Sequence, residues 1–284
     1  MPLQQSFSGK NKRAGSVQPT DIKWVYPPRN ALLRCLQIVY SIYAVLCFLV
    51  LMFIALVPVL VSPLFGKVRG GNFVYRVCKM WAIVWYALVG IRYKELYETP
   101  HDKGRQYIFV ANHISYIDIP AAVRVMHQPI RILGKYEMVK YPVFGIIYRM
   151  AVVVVDRRSP ERRAQSVRAL KAALAKEISI FIFPEGTFNE TREPLKEFYD
   201  GAFRIAIETG TPIKPILFLD THERMHYRGF LELTPGKCRC VYLNEIEVHP
   251  YSIEQIKELR EKVHAIMEEG LRRYKTYPLP LNVY

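Results

Sequence analysis

Residues 106–118 read QYIFVANHISYID, an apolar run that ends in a polar turn. The run is rich in aromatic and β-branched residues, which predicts a buried strand over its first six positions. A helix is expected to begin near Tyr116, because Ser115-x-x-Asp118 resembles a capping pattern and Pro120 is tolerated in a first turn. Turns at strand ends are where α/β sheets bind ligands, so we expect a functional site here.

Short strands alternate with amphipathic helices on the C-terminal side of this stretch. Further strands are predicted at 152–155, 178–183, 213–219 and 238–248, and helices at 160–176, 200–210 and 252–274. Ser159 and Ser252 are expected to cap two of these helices, and Gly210 to end the third. The alternation is typical of an α/β fold in which helices are layered against a central mixed sheet. We assign this catalytic domain to residues 96–276 and a short C-terminal tail to 277–284.

The N-terminal third is apolar between two basic flanks. No charged residue occurs from Cys35 to Gly66, whereas Arg34 precedes this segment and Lys67 follows it. A bilayer crossing needs about 20 apolar residues, so the segment is long enough to span once. Because basic residues prefer the cytoplasmic side and both flanks are basic, a two-helix anchor in one leaflet over 31–95 is favoured over a true span. The catalytic domain is then expected at the cytoplasmic face of the membrane.

A second apolar run, residues 80–91, is too short to cross a bilayer and is expected to lie in the membrane interface. It contains Trp81, Trp85 and Tyr86, aromatic types that settle at headgroup depth. Residues 1–30 combine basic side chains with Gly, Ser, Gln and Pro, and we interpret them as a basic disordered arm.

The charge balance narrows the class of partner. The 284 residues include 40 Lys and Arg against 25 Asp and Glu, a net charge of +15. Such a chain is attracted to polyanions, which means nucleic acid, an anionic membrane or a phosphorylated small molecule. The apolar N-terminal third favours the membrane, and we expect no nucleic-acid partner. The five cysteines follow no disulfide or zinc spacing, so we interpret them as reduced thiols in a cytoplasmic setting.

His113 and Asp118 form the first candidate catalytic pair. Residues five apart fall on different faces of a helix, so the two meet only if His113 lies in the turn and Asp118 in the helix that follows. An aspartate that accepts one ring N–H fixes the tautomer and leaves the other nitrogen to take a proton from an alcohol. Taken alone, a core histidine beside a helix-capping aspartate explains the same spacing.

The second candidate is the turn Pro184-Glu185-Gly186-Thr187, which directly follows the predicted strand 178–183. It places a carboxylate, backbone N–H groups and a hydroxyl at one edge of the sheet. Backbone amides of a glycine turn can hold an anion or polarise a carbonyl, while Glu185 can bond acceptor hydroxyls. If this motif stood alone, an ordinary strand-to-loop turn would explain it equally well.

Together the two patterns resemble the glycerolipid acyltransferase family. Asn112-His113-x4-Asp118 is followed at 183–187 by Phe-Pro-Glu-Gly-Thr, and two weaker family motifs occur in the family's order. The stretch 135–157 resembles the second family motif, and 211–216 resembles the fourth. The resemblance covers residues 85–250 and is greatest to the lysophosphatidic acid acyltransferases.

The resemblance implies a reaction and a set of site residues. An acyl group passes from acyl-CoA or acyl-carrier protein to the sn-2 hydroxyl of a membrane lysophospholipid, 1-acyl-glycerol-3-phosphate, and the product is phosphatidic acid. No bound cofactor and no metal are implied. By this resemblance His113 is the base, Asp118 orients it, and Glu185 and Gly186 bind the acceptor or the oxyanion. The full set implied to bind the acceptor and its phosphate is Lys135, Arg157, Glu185, Gly186 and Thr187.

One position departs from the family pattern. The family usually continues Glu-Gly-Thr with arginine, and this chain has Phe188 there. Arg157, Arg158 or Arg192 could supply the lost contact, because arginine holds phosphate in a bidentate fork. Alternatively, the acceptor is a lysolipid without a terminal phosphate, such as a lyso-aminolipid. A non-catalytic, membrane-tethered lipid-binding module with the same fold is a third interpretation.

Overall fold

The order of the strands decides where the site lies. The computed structural model describes residues 30–100, 102–155, 159–191, 193–227 and 229–277, without the side chains of Pro160 and Arg163. Its strands are β1 (Ile91–Tyr97), β2 (Ile108–Ala111), β3 (Ile130–Lys135), β4 (Val152–Val155), β5 (Ser179–Ile182), β6 (Ile213–Phe218) and β7 (Gly236–Tyr242). They form one sheet in the order β1-β7-β6-β2-β5-β3-β4, and each neighbouring pair is parallel except β6 and β7. The predicted mixed sheet is therefore confirmed.

Helices cover both faces of this sheet. They are α1 (Ala31–Val61), α2 (Gly66–Leu88), α3 (Asp118–Val125), α4 (Phe144–Ala151), α5 (Pro160–Leu174), α6 (Gly201–Thr209), α7 (Thr221–Arg224) and α8 (Ile256–Tyr274). Short 3₁₀ helices occupy Ser62–Phe65, Tyr136–Lys140 and Ile253–Gln255. Apolar residues of α5, α6 and α8 pack on one face of the sheet, and those of α2 and α3 on the other.

Strand β2 lies at the centre of the sheet and contributes to both apolar layers. Ile108 and Val110 pack toward α5, α6 and α8, whereas Phe109 and Ala111 pack toward α2 and α3. All four side chains are completely buried. A parallel strand covered on both faces has no solvent side, which explains why its sequence is apolar at every position.

The N-terminal helices α1 and α2 pack against each other in antiparallel order. Trp85 Nε1 donates to the Ala44 carbonyl oxygen at 2.9 Å, and the ring of Phe48 meets the ring of Trp81 edge-on at 4.7 Å. The two predicted N-terminal helices are therefore present, and their anchoring in a membrane stays a prediction. Ser41 on the inner side of α1 joins the pair to the α/β domain, because its hydroxyl accepts from the Leu233 N–H at 3.1 Å.

The outer side of α1 exposes a continuous apolar surface. The stretch Ala31–Leu88 is long and apolar enough to cross a membrane, and 22% of its most apolar window is buried within the protein. A large exposed apolar patch on a folded protein marks a contact with a partner or a lipid phase. The side chains that form this surface are Leu32, Leu33, Leu36, Val39, Ile42, Leu46, Val50, Phe53, Ile54, Val57 and Leu60.

The prediction that Trp85 and Tyr86 lie at headgroup depth is wrong. Their exposed fractions are 3% and 1%, because this part of α2 packs between α1 and the sheet. The apolar run 80–91 is thus the second half of α2 followed by the start of the sheet, which begins at Ile91, ahead of the predicted domain boundary at 96. Aromatic residues that are enriched at interfaces are equally suited to filling a large core contact.

Candidate active site

The carboxyl ends of β2, β5 and β6 lie side by side at one edge of the sheet. Asn112 follows β2 directly and fixes this arrangement. Its Nδ2 donates to the Phe218 carbonyl oxygen at 2.9 Å, and its Oδ1 accepts from the Phe218 N–H at 2.8 Å. Because Phe218 is the last residue of β6, these two bonds hold the turn after β2 beside the carboxyl end of β6.

Asp118, the first residue of α3, holds the ring of His113. Asp118 Oδ2 lies 2.9 Å from His113 Nδ1, and the two side chains are 0% and 10% exposed. The same oxygen accepts from the backbone N–H groups of Ile114 at 2.6 Å and Ser115 at 2.8 Å. A carboxylate can only accept, so Nδ1 carries the proton and Nε2 is left to act as a base. The structure thus brings together the two side chains whose spacing predicted a meeting.

Glu185, after β5, holds the backbone of the same histidine. Its Oε1 accepts from the His113 N–H at 2.8 Å, and its Oε2 accepts from the Lys196 N–H at 3.0 Å. The His113 carbonyl oxygen in turn accepts from the Asn189 N–H at 2.6 Å. Glu185 is 1% exposed and both of its carboxyl oxygens bond backbone amides, so its observed contacts position His113. Burial raises the pKa of Glu185 to about 8, although these N–H donors oppose the rise.

The turn after Glu185 presents polar atoms at the surface. Gly186 has a φ of +69°, a left-handed conformation that a residue with a Cβ adopts at a cost, which explains the glycine of the motif. Its N–H donates to the Phe183 carbonyl oxygen at 3.0 Å and closes the turn. Thr187 is exposed, and its Oγ1 accepts from Lys196 Nζ at 2.8 Å.

Aromatic rings enclose the side chain of His113. This arrangement was not predicted from the sequence. The ring of His113 stacks on Phe183 with centroids 4.0 Å apart, and Phe188 lies 4.4 Å away on a tilted plane. Phe188 also meets Tyr116 edge-on at 4.8 Å, and Tyr116 contacts Phe230, which is 56% exposed. We call this set the aromatic row, and it runs from His113 to the surface. Its five members are His113, Phe183, Phe188, Tyr116 and Phe230. The one sequence signal for it was the pair of phenylalanines that bracket Pro-Glu-Gly-Thr.

Of the two cationic residues predicted to face phosphate, Lys135 lies within the described residues and Arg157 does not. Lys135 is exposed at the end of β3, opposite Val155 at the end of β4, on the same edge of the sheet as His113. Arg157, together with Arg158 and Arg192, lies outside the described residues, so its predicted role stays a prediction. Within the described ranges, no group of three or more His, Cys, Asp or Glu is arranged to hold a metal ion.

A family model covers this edge of the sheet. The family is described as Acyltransferase, and its model matches residues 91–219, from β1 through β6, with His113, Asp118 and Glu185 inside the match. Residues 91–219 therefore form a domain of the acyltransferase family.

Relatives of this acyltransferase carry a common name. A 1-acyl-sn-glycerol-3-phosphate acyltransferase from Haemophilus influenzae is 28% identical over 189 residues, which are 66% of this chain and 77% of that protein. One from Cocos nucifera is 30% identical over 166 residues, 58% of this chain and 53% of that protein, so the match spans about half of the coconut enzyme. The crystal structure of the 1-acyl-sn-glycerophosphate acyltransferase PlsC from Thermotoga maritima has the same fold, with a TM-score of 0.68 at 21% identity over 86% of this chain and 97% of that one.

The raised pKa of Glu185 gives the acyltransferase a pH-dependent stability. The folded protein keeps a proton on Glu185 up to about pH 8, while the unfolded chain releases it near its ordinary value of 4.5. The stabilisation that the protonated Glu185 contributes is therefore complete below pH 4.5. It decreases by about 1.4 kcal/mol per pH unit above that value and is lost once the pH has risen through about 8. Because glutamine does not titrate, we expect the free energy of unfolding of wild type to fall steadily relative to that of Glu185→Gln between pH 4.5 and about pH 8.

Thermal unfolding in detergent, followed by circular dichroism at several pH values, measures that difference. Glu190→Gln is the matched control, because Glu190 is exposed in the same loop. Its difference from wild type is expected to stay constant over the pH range. A constant difference for Glu185→Gln as well would show that Glu185 is ionised in the folded protein.

Proposed function

We propose that the chain transfers a fatty acyl group from acyl-CoA or acyl-carrier protein to the sn-2 hydroxyl of 1-acyl-glycerol-3-phosphate, forming phosphatidic acid. The observation that carries the proposal is the buried His113–Asp118 pair at the carboxyl ends of the central strands. Glu185 holds this pair in place by bonding the backbone N–H of His113. The names of the relatives from Haemophilus and coconut support this reaction.

The proposed chemistry needs no nucleophile from the protein. A thioester is already activated, so the acceptor hydroxyl attacks its carbonyl carbon while His113 Nε2 takes the hydroxyl proton. The positive charge that forms on the ring is stabilised by the Asp118 carboxylate at 2.9 Å. The tetrahedral intermediate then collapses, the carbon–sulfur bond breaks, and the imidazolium returns its proton to the leaving thiolate. Thr187, the exposed residue of the turn that follows Glu185, is the proposed site of polar contacts to the acceptor, and the buried Gly186 shapes that turn.

A second candidate acceptor is a lysolipid without a terminal phosphate. The observation that favours it is Phe188, an apolar ring 4.4 Å from the base where the family usually has a cation. Lysophosphatidate remains the preferred acceptor, since Lys135 and the net charge of +15 both favour an anionic substrate.

We further propose that the catalytic domain works at the cytoplasmic face of a membrane in which α1 and α2 are anchored. The exposed apolar side of α1 supports lipid contact. Arg34 in the first turn of α1, and Lys67, Arg69 and Arg76 on α2, are exposed. Basic residues at both ends of the apolar segment favour entry and exit on the cytoplasmic side.

Purified protein, incubated with labelled acyl-CoA and a panel of acceptors, tests the reaction. The panel contains lysophosphatidate, a lyso-aminolipid and a monoacylglycerol, and each assay measures both the free thiol and the acylated product. We expect thiol release that depends on lysophosphatidate and equals the phosphatidic acid formed. Turnover with a phosphate-free acceptor alone would replace the proposed substrate by the second candidate. No thiol release with any acceptor, from acyl-CoA or from acyl-carrier protein, would contradict the proposed reaction.

A further inference from the structure

A lysine outside the expected site residues reaches the turn that follows Glu185. Lys196 Nζ donates to Thr187 Oγ1 at 2.8 Å and to the Phe188 carbonyl oxygen at 3.3 Å. Both of these partners are uncharged, so neither neutralises the ammonium; its positive charge acts on the nearby Glu185 and lowers the pKa of that carboxyl group against the larger rise that burial causes. The side chain of Phe188 packs on His113, so Lys196 places a cation in this turn where residue 188 does not.

The position of Lys196 is set by the same carboxyl group that holds the base. Glu185 bonds the His113 N–H through one oxygen and the Lys196 N–H through the other. The Lys196 carbonyl oxygen also lies 3.2 Å from His264 Nε2 on α8. The backbone of Lys196 is thus fixed on two sides, relative to the base and to the helix layer.

Among the residues that the structure describes, the hydrogen bonds leave one donor of Lys196 and the hydroxyl proton of Thr187 without an acceptor. An ammonium has three N–H donors, and two of them are used within the turn. Thr187 Oγ1 accepts from the ammonium, so its own O–H remains to donate, and this residue is exposed. A cation and a hydroxyl that donate side by side suit the oxygens of a phosphate monoester.

We propose that Lys196 and Thr187 bind the phosphate of the acceptor lipid, which makes Lys196 a specificity-determining residue. The proposal rests on the reaction proposed above, because it names how the same site recognises its acceptor. It accounts for an anionic acceptor despite the phenylalanine at position 188. The competing interpretation is that the Lys196 side chain only closes the turn.

Binding measurements separate the two interpretations without requiring turnover. Titration calorimetry in detergent micelles compares lysophosphatidate with a monoacylglycerol of the same chain length. Lys196→Gln keeps an N–H donor for Thr187 and removes the charge, Lys196→Arg keeps the charge, and Lys257→Met removes an exposed lysine of α8 as the control. We expect Lys196→Gln to weaken lysophosphatidate binding by about tenfold, the size of one charge-assisted hydrogen bond. Monoacylglycerol binding is expected to be unchanged, and the arginine and control variants to stay within a few-fold of wild type.

Equal binding of lysophosphatidate by wild type and Lys196→Gln would overturn the proposal, as would an equal loss for both lipids. Should Lys196→Gln lower the melting temperature strongly, Lys196→Arg decides, since restored selectivity for the phosphate supports the proposal and lost selectivity contradicts it. If wild type binds lysophosphatidate selectively through Lys196 but transfers no acyl group, the role of Lys196 is supported and the proposed reaction is contradicted.

Discussion

Acyl transfer by a His113→Ala variant is expected to fall about 10²- to 10⁴-fold, the range that a positioned general base contributes. In the proposed reaction Nε2 takes the proton of the acceptor hydroxyl, and alanine offers no substitute. The turn itself is expected to survive, because Glu185 and Asn189 bond the backbone of residue 113 rather than its side chain. Initial rates of thiol release from acyl-CoA with lysophosphatidate measure the effect.

The matched control for this variant is His249→Ala, since His249 is exposed beyond β7. It is expected to keep the rate of wild type, and both variants are expected to bind vesicles, because α1 and α2 are unchanged. A His113→Ala protein that still turns over at a rate close to wild type would remove His113 as the base.

The second large effect is expected for Asp118→Asn, a loss of about 10²-fold or more in kcat. The amide oxygen of asparagine can accept from the same three N–H donors, so the turn and the α3 start are retained. What is lost is the negative charge that stabilises the imidazolium formed during proton transfer. Steady-state kinetics are expected to show the loss in kcat with little change in KM, because Asp118 does not touch the acceptor.

Two further variants separate the charge of Asp118 from its part in the fold. Asp118→Ala leaves the buried N–H groups of Ile114 and Ser115 unpaired, at a cost of about 1–3 kcal/mol each, so it is expected to unfold at lower temperature as well. Asp200→Asn, at the exposed start of α6, is the control for removing a carboxylate that pairs with a cation, here Arg260, at the surface. If Asp118→Asn kept the kcat of wild type, Asp118 would be a helix-capping residue and not a partner of the base.

Features that depend on neighbours along the chain could be predicted from the sequence. The Ser159 hydroxyl accepts from the Arg162 N–H at 3.2 Å, Ser252 forms a capping box with Gln255, and Gly210 ends α6 at a φ of +61°. The meeting of His113 and Asp118 belongs to the same class, since one turn and one helix start bring the pair together. Each of these contacts joins residues five positions apart or fewer.

Contacts between distant segments could not be predicted in the same way. Glu185 and His113 are 72 positions apart, and they meet only because β5 is the neighbour of β2 in the sheet. The sequence indicated strands at both places but not their order across the sheet. The bond of Glu185 to the His113 N–H follows from that order.

Strand β1 was missed for a different reason. It lies at the edge of the sheet and pairs only with β7, so Arg92 and Lys94 on it remain exposed. Charges on an edge strand disfavour pairing with other chains, and they also weaken the apolar pattern by which strands are recognised. Its first residue, Ile91, ends an apolar run that continues from α2, which concealed the boundary.

The aromatic row has a consequence for the fate of the acyl donor. A base strong enough to activate an alcohol also activates water, and hydrolysis of the thioester would waste a costly substrate. His113 lies between Phe183 and Phe188 with 10% of its side chain exposed, so bulk water has little access to the ring. A hydroxyl carried on an apolar chain can displace those rings, whereas a lone water molecule gains little by doing so. For the proposed reaction, we therefore expect the phenylalanines to favour esterification over hydrolysis at the same histidine.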